Sequence, residues 1–175
     1  MRASAPVLSG LLLTVLALPR VATAAEETRA KGKWTVAGKS VELTQARVYR
    51  EADPFGRGTN PCVLASNEAV PDEALPTTDE GIAKLLDRMR SGKLRALAVC
   101  FDESGRRLRD VNDLATFHPD VSPGRHTYQG FAQFAPSGAA AGRIAGKLTG
   151  SGTAVETDAP WSVEIEISVP MPAKP

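Results

Sequence analysis

Few side chains in this sequence could do covalent or metal chemistry, and they are two cysteines and two histidines. Cys62 and Cys100 each lie in a short, almost wholly apolar run, PCVL and AVCF. Apolar burial raises the pKa of a thiol and makes it unreactive, and the chain contains no Cys-x-x-Cys redox motif. We therefore predict a structural Cys62–Cys100 disulfide. Closing a loop of about 39 residues would stabilise the fold by roughly 4 kcal/mol on chain-entropy grounds.

The histidines suggest a second kind of chemistry. His118 and His126 lie in or beside one predicted loop, and Asp120 lies between them. Two imidazoles and a carboxylate are ligands that zinc and copper accept, with a position left open for a substrate. Their spacing matches no metal motif, so a metal-binding protein or metal-dependent enzyme is the alternative hypothesis. Asp102, Asp110, Asn112 and Asp113 fail the EF-hand calcium spacing, and we interpret them as turn residues.

Motifs of the common enzyme classes are absent from the sequence. It has no Gly-x-Ser-x-Gly elbow, His-Glu-x-x-His helix, phosphate loop or dinucleotide fingerprint. Once the cysteines pair, no thiol nucleophile remains. We predict a protein that is not an enzyme and that needs no cofactor.

Charge is distributed unevenly along the chain. Residues 68–80 hold five acids and no base, whereas residues 84–109 hold eight bases and three acids. A turn predicted at Gly105 would carry Arg106 and Arg107 at its tip, with Arg109 beside them. This patch is our candidate binding site for an acidic protein or an acidic envelope polymer. The alternative is a solvated helix face and turn, partly neutralised by the acidic loop.

The regular elements that would position these residues are mostly strands. Trp161 to Val169 alternates apolar and polar residues, the pattern of a half-buried strand, and the two cysteine runs are apolar on both faces. One helix is predicted over about 79–91, with Ile82, Leu85, Leu86 and Met89 on its core face. We predict a mainly β fold: a single β-sandwich-like domain of about seven or eight strands, with the helix inserted.

The N-terminus has the pattern of a cleaved secretory signal over residues 1–24. A short positive start, an apolar core from Val7 to Leu18 and small residues at Ala22 and Ala24 give the expected layout. The boundaries that follow are a flexible lead-in at 25–32, a β-rich domain at 33–170 and a loose tail at 171–175. No second apolar run is long enough to span a membrane, so we expect an exported protein, periplasmic or extracellular.

Composition argues against nucleic-acid binding. The predicted signal carries two arginines and no acid, so its removal changes the formal net charge from +1 to −1. A near-neutral chain with 5% aromatic residues lacks the basic field of a nucleic-acid-binding protein.

Two segments support a resemblance. GKWTVAGKSVELTQARVY, at residues 32–49, and GRIAGKLTG followed by WSVEIEISV, at 142–150 and 161–169, are similar to the opening and closing strands of small exported bacterial β-sandwich domains of unknown function. With the short buried strand that follows the first segment, the resemblance extends over about a third of the predicted mature chain. The resemblance implies a sandwich-like fold and export, and it implies no catalytic residue. The leading hypothesis is therefore an exported, non-enzymatic binding module, one form of which is an inhibitor that inserts a loop into a hydrolase cleft.

Overall fold

A computed structural model describes residues 29–53, 56, 58–109, 113–119, 124–127, 129–138, 142–154 and 157–174, with the backbone alone for 113, 124–127 and 129–131. The predicted signal, residues 1–24, lies outside these ranges. Within them the chain forms ten strands, one α-helix and a 3₁₀ turn at Asp72–Ala74. The strands are β1 (Arg29–Val36), β2 (Lys39–Leu43), β3 (Gln45–Ala52), β4 (Thr59–Ser66), β5 (Ala96–Cys100), β6 (Asp113–Phe117), β7 (Gly124–Thr127), β8 (Gln129–Pro136), β9 (Arg143–Thr153) and β10 (Pro160–Pro170), and the helix is α1 (Asp79–Arg90).

The strands form two antiparallel five-stranded sheets. Sheet A has the order β2-β1-β10-β9-β8, and sheet B has the order β3-β4-β5-β6-β7. The predicted mainly β fold with one inserted helix is confirmed. The described part of the chain contains ten strands, more than the seven or eight that we predicted.

The larger core fills the space between the two sheets. Strand β10 supplies it with every second residue, because successive side chains of a strand point to opposite faces. Trp34 and Leu148 join it from sheet A, and Val63, Val99 and Phe101 join it from sheet B. The β10 residues in this core are Trp161, Val163, Ile165, Ile167 and Val169.

A second core lies on the other face of sheet B, beneath helix α1. Leu85 and Met89 of the helix pack there with Leu64 and with both cysteines. Strands β4 and β5 lie inside sheet B and are covered on one side by sheet A and on the other by the helix. This explains why their sequences lack polar alternation. Cys62 and Cys100 are directly opposite in register and form the predicted disulfide.

Local signals set the ends of the helix. The Thr78 hydroxyl oxygen accepts a hydrogen bond from the Gly81 N–H at 3.1 Å, which makes Thr78 the N-cap. Gly92 follows the helix with φ +78°, the left-handed conformation that favours glycine. The predicted helix is confirmed, but the placement of Ile82 in the core is wrong. Its side chain is 38% exposed, because no described element covers the N-terminal part of this helix face.

The inward-facing apolar residues change phase between Leu43 and Ala46, which predicts a bulge or a bend near Thr44–Gln45. The structure has a bend there: the chain leaves sheet A at Leu43 and enters sheet B at Gln45, and the Thr44 N–H donates to the Ser66 carbonyl at 2.9 Å. The inward-facing residues change phase because the inner faces of the two sheets oppose each other. The alternation of residue types over 127–134 predicts a single strand, but a similar passage from sheet B to sheet A separates β7 from β8.

Both ends of the described chain are more ordered than predicted. Residues 29–32 of the expected flexible lead-in pair with residues 165–168 of β10. Residues 171–174 of the expected loose tail are also held: the Met171 N–H donates to the Gly142 carbonyl at 2.8 Å, and Lys174 pairs with Glu103 at 2.9 Å. Pairing of β1 with β10 and the contacts of residues 171–174 fix both ends through partners that are distant in the sequence. None of the helical segments in the described ranges has the length and hydropathy of a membrane-spanning helix.

Candidate functional site: the basic turn at Asp102–Arg107

The turn after β5 carries two of the three predicted binding arginines. Asp102 N–H donates to the Arg107 carbonyl and Gly105 N–H donates to the Asp102 carbonyl, both at 2.9 Å. Phe101 and Leu108 then pair as an isolated bridge. Arg106 and Arg107 are exposed, as predicted from the turn.

The side chain of Asp102 fixes this turn from inside. Its Oδ1 accepts hydrogen bonds from the Ser104 N–H at 3.1 Å, the Ser104 hydroxyl at 2.6 Å and the Arg106 N–H at 3.3 Å. Partial burial opposes ionisation of Asp102, but the hydrogen bonds from Ser104, Arg106 and Arg107 outweigh it and lower its pKa. Asp102 is therefore a turn residue, as its sequence position indicated. Asp110 and Asn112 lie outside the described residues, as does the side chain of Asp113.

The turn is also anchored to the rest of the domain. Gly105 is buried, and a Cβ atom there would lie 2.9 Å from Cγ1 of Ile144, so no larger residue fits without a shift. Arg50 Nη1 donates to Glu103 Oε1 at 3.2 Å, and Arg50 Nε donates to the Ala173 carbonyl at 2.9 Å. The basic turn is thus held against both the core and the C-terminal segment.

Glu103 is the second acid of the turn, and two cations bind it. Lys174 Nζ lies 2.9 Å from Oε2, and the Arg50 guanidinium contacts the other oxygen. The hydrogen bond from Lys174 is the main cause of the lowered pKa of Glu103; slight desolvation opposes it and Arg50 adds to it. The charge of Glu103 is therefore balanced by Arg50 and Lys174. It does not compensate the charges of the two exposed arginines, Arg106 and Arg107.

The contact between Lys174 and Glu103 predicts a measurable change in the titration of Glu103. In Lys174→Ala the pKa of Glu103 should rise towards its ordinary value, since the main cause of its depression is gone. A carboxyl group whose pKa is lower in the folded state than in the unfolded state stabilises the fold at pH values above its unfolded-state pKa. This stabilisation is lost as the pH falls through its folded-state pKa. Carbon-detected NMR of the carboxyl groups would measure both values. Glu164 is the matched control, since Lys147 lowers its pKa in a separate ion pair on sheet A. An unchanged Glu103 titration in Lys174→Ala would contradict the contact.

The basic residues of helix α1 differ from Arg106 and Arg107 of the turn in having acidic partners. Lys84 pairs with Glu80 at 2.8 Å, and Arg88 pairs with Glu68 at 2.7 Å. The acidic segment before the helix thus compensates part of the helix charge, as the alternative interpretation of the sequence proposed. Of the other basic residues in this region, Lys93 and Arg95 follow the helix, and Arg106 and Arg107 are exposed at the turn.

Arg109 lies at the base of the turn and not at its tip. Its N–H donates to the Cys100 carbonyl at 2.9 Å, which continues the pairing of β5, and its side chain is half-buried. Our grouping of Arg109 with Arg106 and Arg107 therefore needs correction. It adds positive charge near the turn, but much of its surface is unavailable to a partner.

The predicted metal ligands are only partly described. His118 is 3% exposed, and its ring meets Trp34 edge-on at 5.0 Å between centroids. It borders a cavity of about 300 Å³ that is also lined by Lys39, Lys93 and Arg95. Cationic neighbours oppose a metal cation by Coulomb repulsion. Asp120 and the side chain of His126 lie outside the described residues, so the metal site stays a prediction.

One grouping of metal-ligating residue types occurs in the described part of the chain: Glu51, Cys62 and Cys100. Glu51 Oε2 lies 3.2 Å from the Cys100 sulfur and 3.7 Å from the Cys62 sulfur. Metals bind the thiolate form of cysteine, and both sulfurs here are committed to the disulfide. The grouping is therefore a carboxylate packed on a disulfide.

No family model matches this chain, and neither a curated protein nor a solved structure matches it significantly.

Sequence reasoning did not identify a second concave surface, which is bordered by Tyr49, Glu51 and Ile82. Tyr49 and Glu51 alternate with Arg50 along β3, a pattern that looks like an ordinary strand. Only the packing of helix α1 over sheet B brings them together with Ile82.

Proposed function

We propose that this chain is an exported binding module without enzymatic activity, and that it recognises an acidic partner through the basic turn. The partner class is an acidic protein or an acidic envelope polymer. The disulfide is typical of proteins that fold in an oxidising compartment, which supports the export inferred from the N-terminal sequence. Both cysteine sulfurs are bonded and His118 is buried against Trp34, which supports structural roles for these three side chains.

The observation that carries this proposal is the imbalance of charge at the turn. The two acids here are engaged internally: Asp102 holds the turn backbone, and Glu103 binds two cations. Arg50 and Lys174 balance the charge of Glu103, and the positive charge of the exposed Arg106 and Arg107 is available to an anionic surface.

The rigidity of the turn adds a second support. A partner that binds a preformed turn does not have to order it, so less of the interaction energy is lost as conformational entropy. Here the backbone of the turn is fixed by Asp102 and by the buried Gly105. A preformed loop is also what an inhibitor of a hydrolase would insert into a cleft.

The test compares charge variants in binding to poly-glutamate, a carboxylate polymer. Arg106→Ala/Arg107→Ala should weaken binding by about five- to thirtyfold, because each exposed ion pair contributes about 0.5 to 1 kcal/mol. Arg106→Lys/Arg107→Lys keeps the charge and should retain most of the affinity. Binding of the wild-type protein should fall steeply with added salt.

A matched control removes the same charge elsewhere. Lys31→Ala/Lys33→Ala deletes two exposed cations from the outer face of sheet A and should leave the affinity nearly unchanged. If this control weakens binding as much as the arginine variant does, only net charge matters and the proposed site is wrong. Unchanged binding of Arg106→Ala/Arg107→Ala would also refute it.

A further inference from the structure

A cleft of about 280 Å³ separates the beginning of helix α1 from sheet B. Its walls are mainly apolar, and they come from strands β3 and β6 and from the helix. A concave, apolar site with a few polar groups is the usual form of a small-molecule binding site. The apolar lining from these three elements consists of Tyr49, Ala52, Ile82, Leu86, Ala115 and Phe117, and Pro76 adds to it from the segment before the helix.

Ile82 gives the cleft an exposed apolar edge. It is the one large hydrophobic side chain that is exposed in the described ranges, and it lines this cleft. A single exposed isoleucine on a convex surface needs no explanation. In a concave site, a ligand that covers it removes this apolar surface from water, which favours binding.

The ionisable groups of the cleft favour one sign of charge. Two carboxylates, from Glu51 and Asp79, line it together with the Tyr49 phenol, and its described lining contains no basic residue. Tyr49 stands opposite Cys62 in the sheet, and Glu51 contacts the Cys100 sulfur at 3.2 Å. The disulfide therefore supports the sheet wall from which both side chains extend.

We propose that this cleft binds a small amphipathic cation. Its apolar body would contact Ile82, Leu86 and Phe117, and its ammonium group would face the carboxylates of Glu51 and Asp79. An ammonium group next to a carboxylate forms a charge-assisted hydrogen bond, and the Tyr49 ring offers a cation–π contact. This site is separate from the basic turn and does not depend on the function proposed for that turn.

Three probes of similar size and different charge test the proposal: phenethylamine, 2-phenylethanol and phenylacetate. Amide shifts in ¹H–¹⁵N spectra of the full chain would report binding to the cleft. We expect saturable shifts at Ile82 and Tyr49, and at least a fivefold preference for the amine over the alcohol. Phenylacetate should bind most weakly.

Substitutions then separate the charge contribution from the apolar one. Asp79→Asn should reduce the preference for the amine by two- to fivefold, and Glu51→Gln should reduce it further. Asp87→Asn removes the same charge from an exposed position on the same helix and should change nothing. Ile82→Ala should weaken binding of the amine and the alcohol alike, with thermal unfolding measured to confirm that the variant folds. Absence of saturable shifts in the wild-type cleft, or equal affinity for amine and carboxylate, would overturn the proposal.

Discussion

Replacement of both cysteines by alanine should lower the free energy of unfolding by about 4 kcal/mol. The disulfide joins residues separated by 38 positions, and the loop that it closes contains helix α1 and the acidic segment before it. In the unfolded chain the bond removes the conformational freedom of this loop. In the folded chain Cys62 and Cys100 already lie opposite each other in register, so the sheet holds them together without the bond.

Urea unfolding of Cys62→Ala/Cys100→Ala beside the oxidised wild-type protein measures this effect. Wild-type protein in reductant is the control: it should resemble the variant, because it keeps both sulfur atoms and loses only the bond. Labelling of free thiols in denatured, unreduced protein should find none. A variant whose stability lies within about 0.5 kcal/mol of the wild type, the range of an ordinary surface change, would contradict the structural role.

Leu85→Ala should cost about 3 to 5 kcal/mol, the range for deletion of a leucine side chain from a well-packed core. Leu85 is fully buried between helix α1 and the outer face of sheet B, where it packs in the same core as Leu64, Met89 and the cysteines. This core is small, and its helix is the single element of that kind in the described chain. The cavity left by alanine would weaken the attachment of the helix to the sheet.

The matched control for Leu85→Ala is Ile82→Ala on the same helix. Both changes replace a branched aliphatic residue by alanine, but Ile82 is 38% exposed. We expect a loss of about 1 kcal/mol or less at Ile82, as for a partly exposed position. Urea unfolding gives the two free energies, and hydrogen exchange of the helix amides shows whether the helix opens separately. Equal losses at the two positions would contradict the packing described above.

Much of the scaffold could be predicted because its signals are local. The helix repeats apolar residues with a period near 3.6 between a capping threonine and Gly92. The runs around Cys62 and Cys100 are apolar on both faces, which favours strands buried from both sides. From these patterns alone, the disulfide, the two strands that are apolar on both faces and the inserted helix were predicted correctly.

The errors arise where the outcome depends on partners distant in the sequence. At Thr44 the sequence leaves a bulge and a bend open, since a bulge within one strand and a passage between two sheets both shift the phase of the inward-facing residues. The ordered state of residues 29–32 depends on pairing with β10, more than 130 positions away. Ile82 follows the helix period, yet the surface that would cover it is absent from the described part of the sheet.

The same division applies to the candidate sites. The turn at Gly105 and the exposure of Arg106 and Arg107 follow from turn residues that stand next to each other in the sequence. The different position of Arg109 follows from its pairing with Cys100, which only the sheet reveals. The apolar cleft combines residues of two strands and a helix, and no local pattern indicates it.

The most direct test of the proposed function is a ¹H–¹⁵N titration of the wild-type protein with a short glutamate oligomer at low salt. We predict that the largest shifts fall on residues 102–109, with smaller shifts at Arg50 and Lys174. The outer face of sheet A, marked by Lys31 and Lys33, should not respond. Shifts that centre on sheet A, or no saturable shift at the turn, would contradict recognition of an acidic partner by the basic turn.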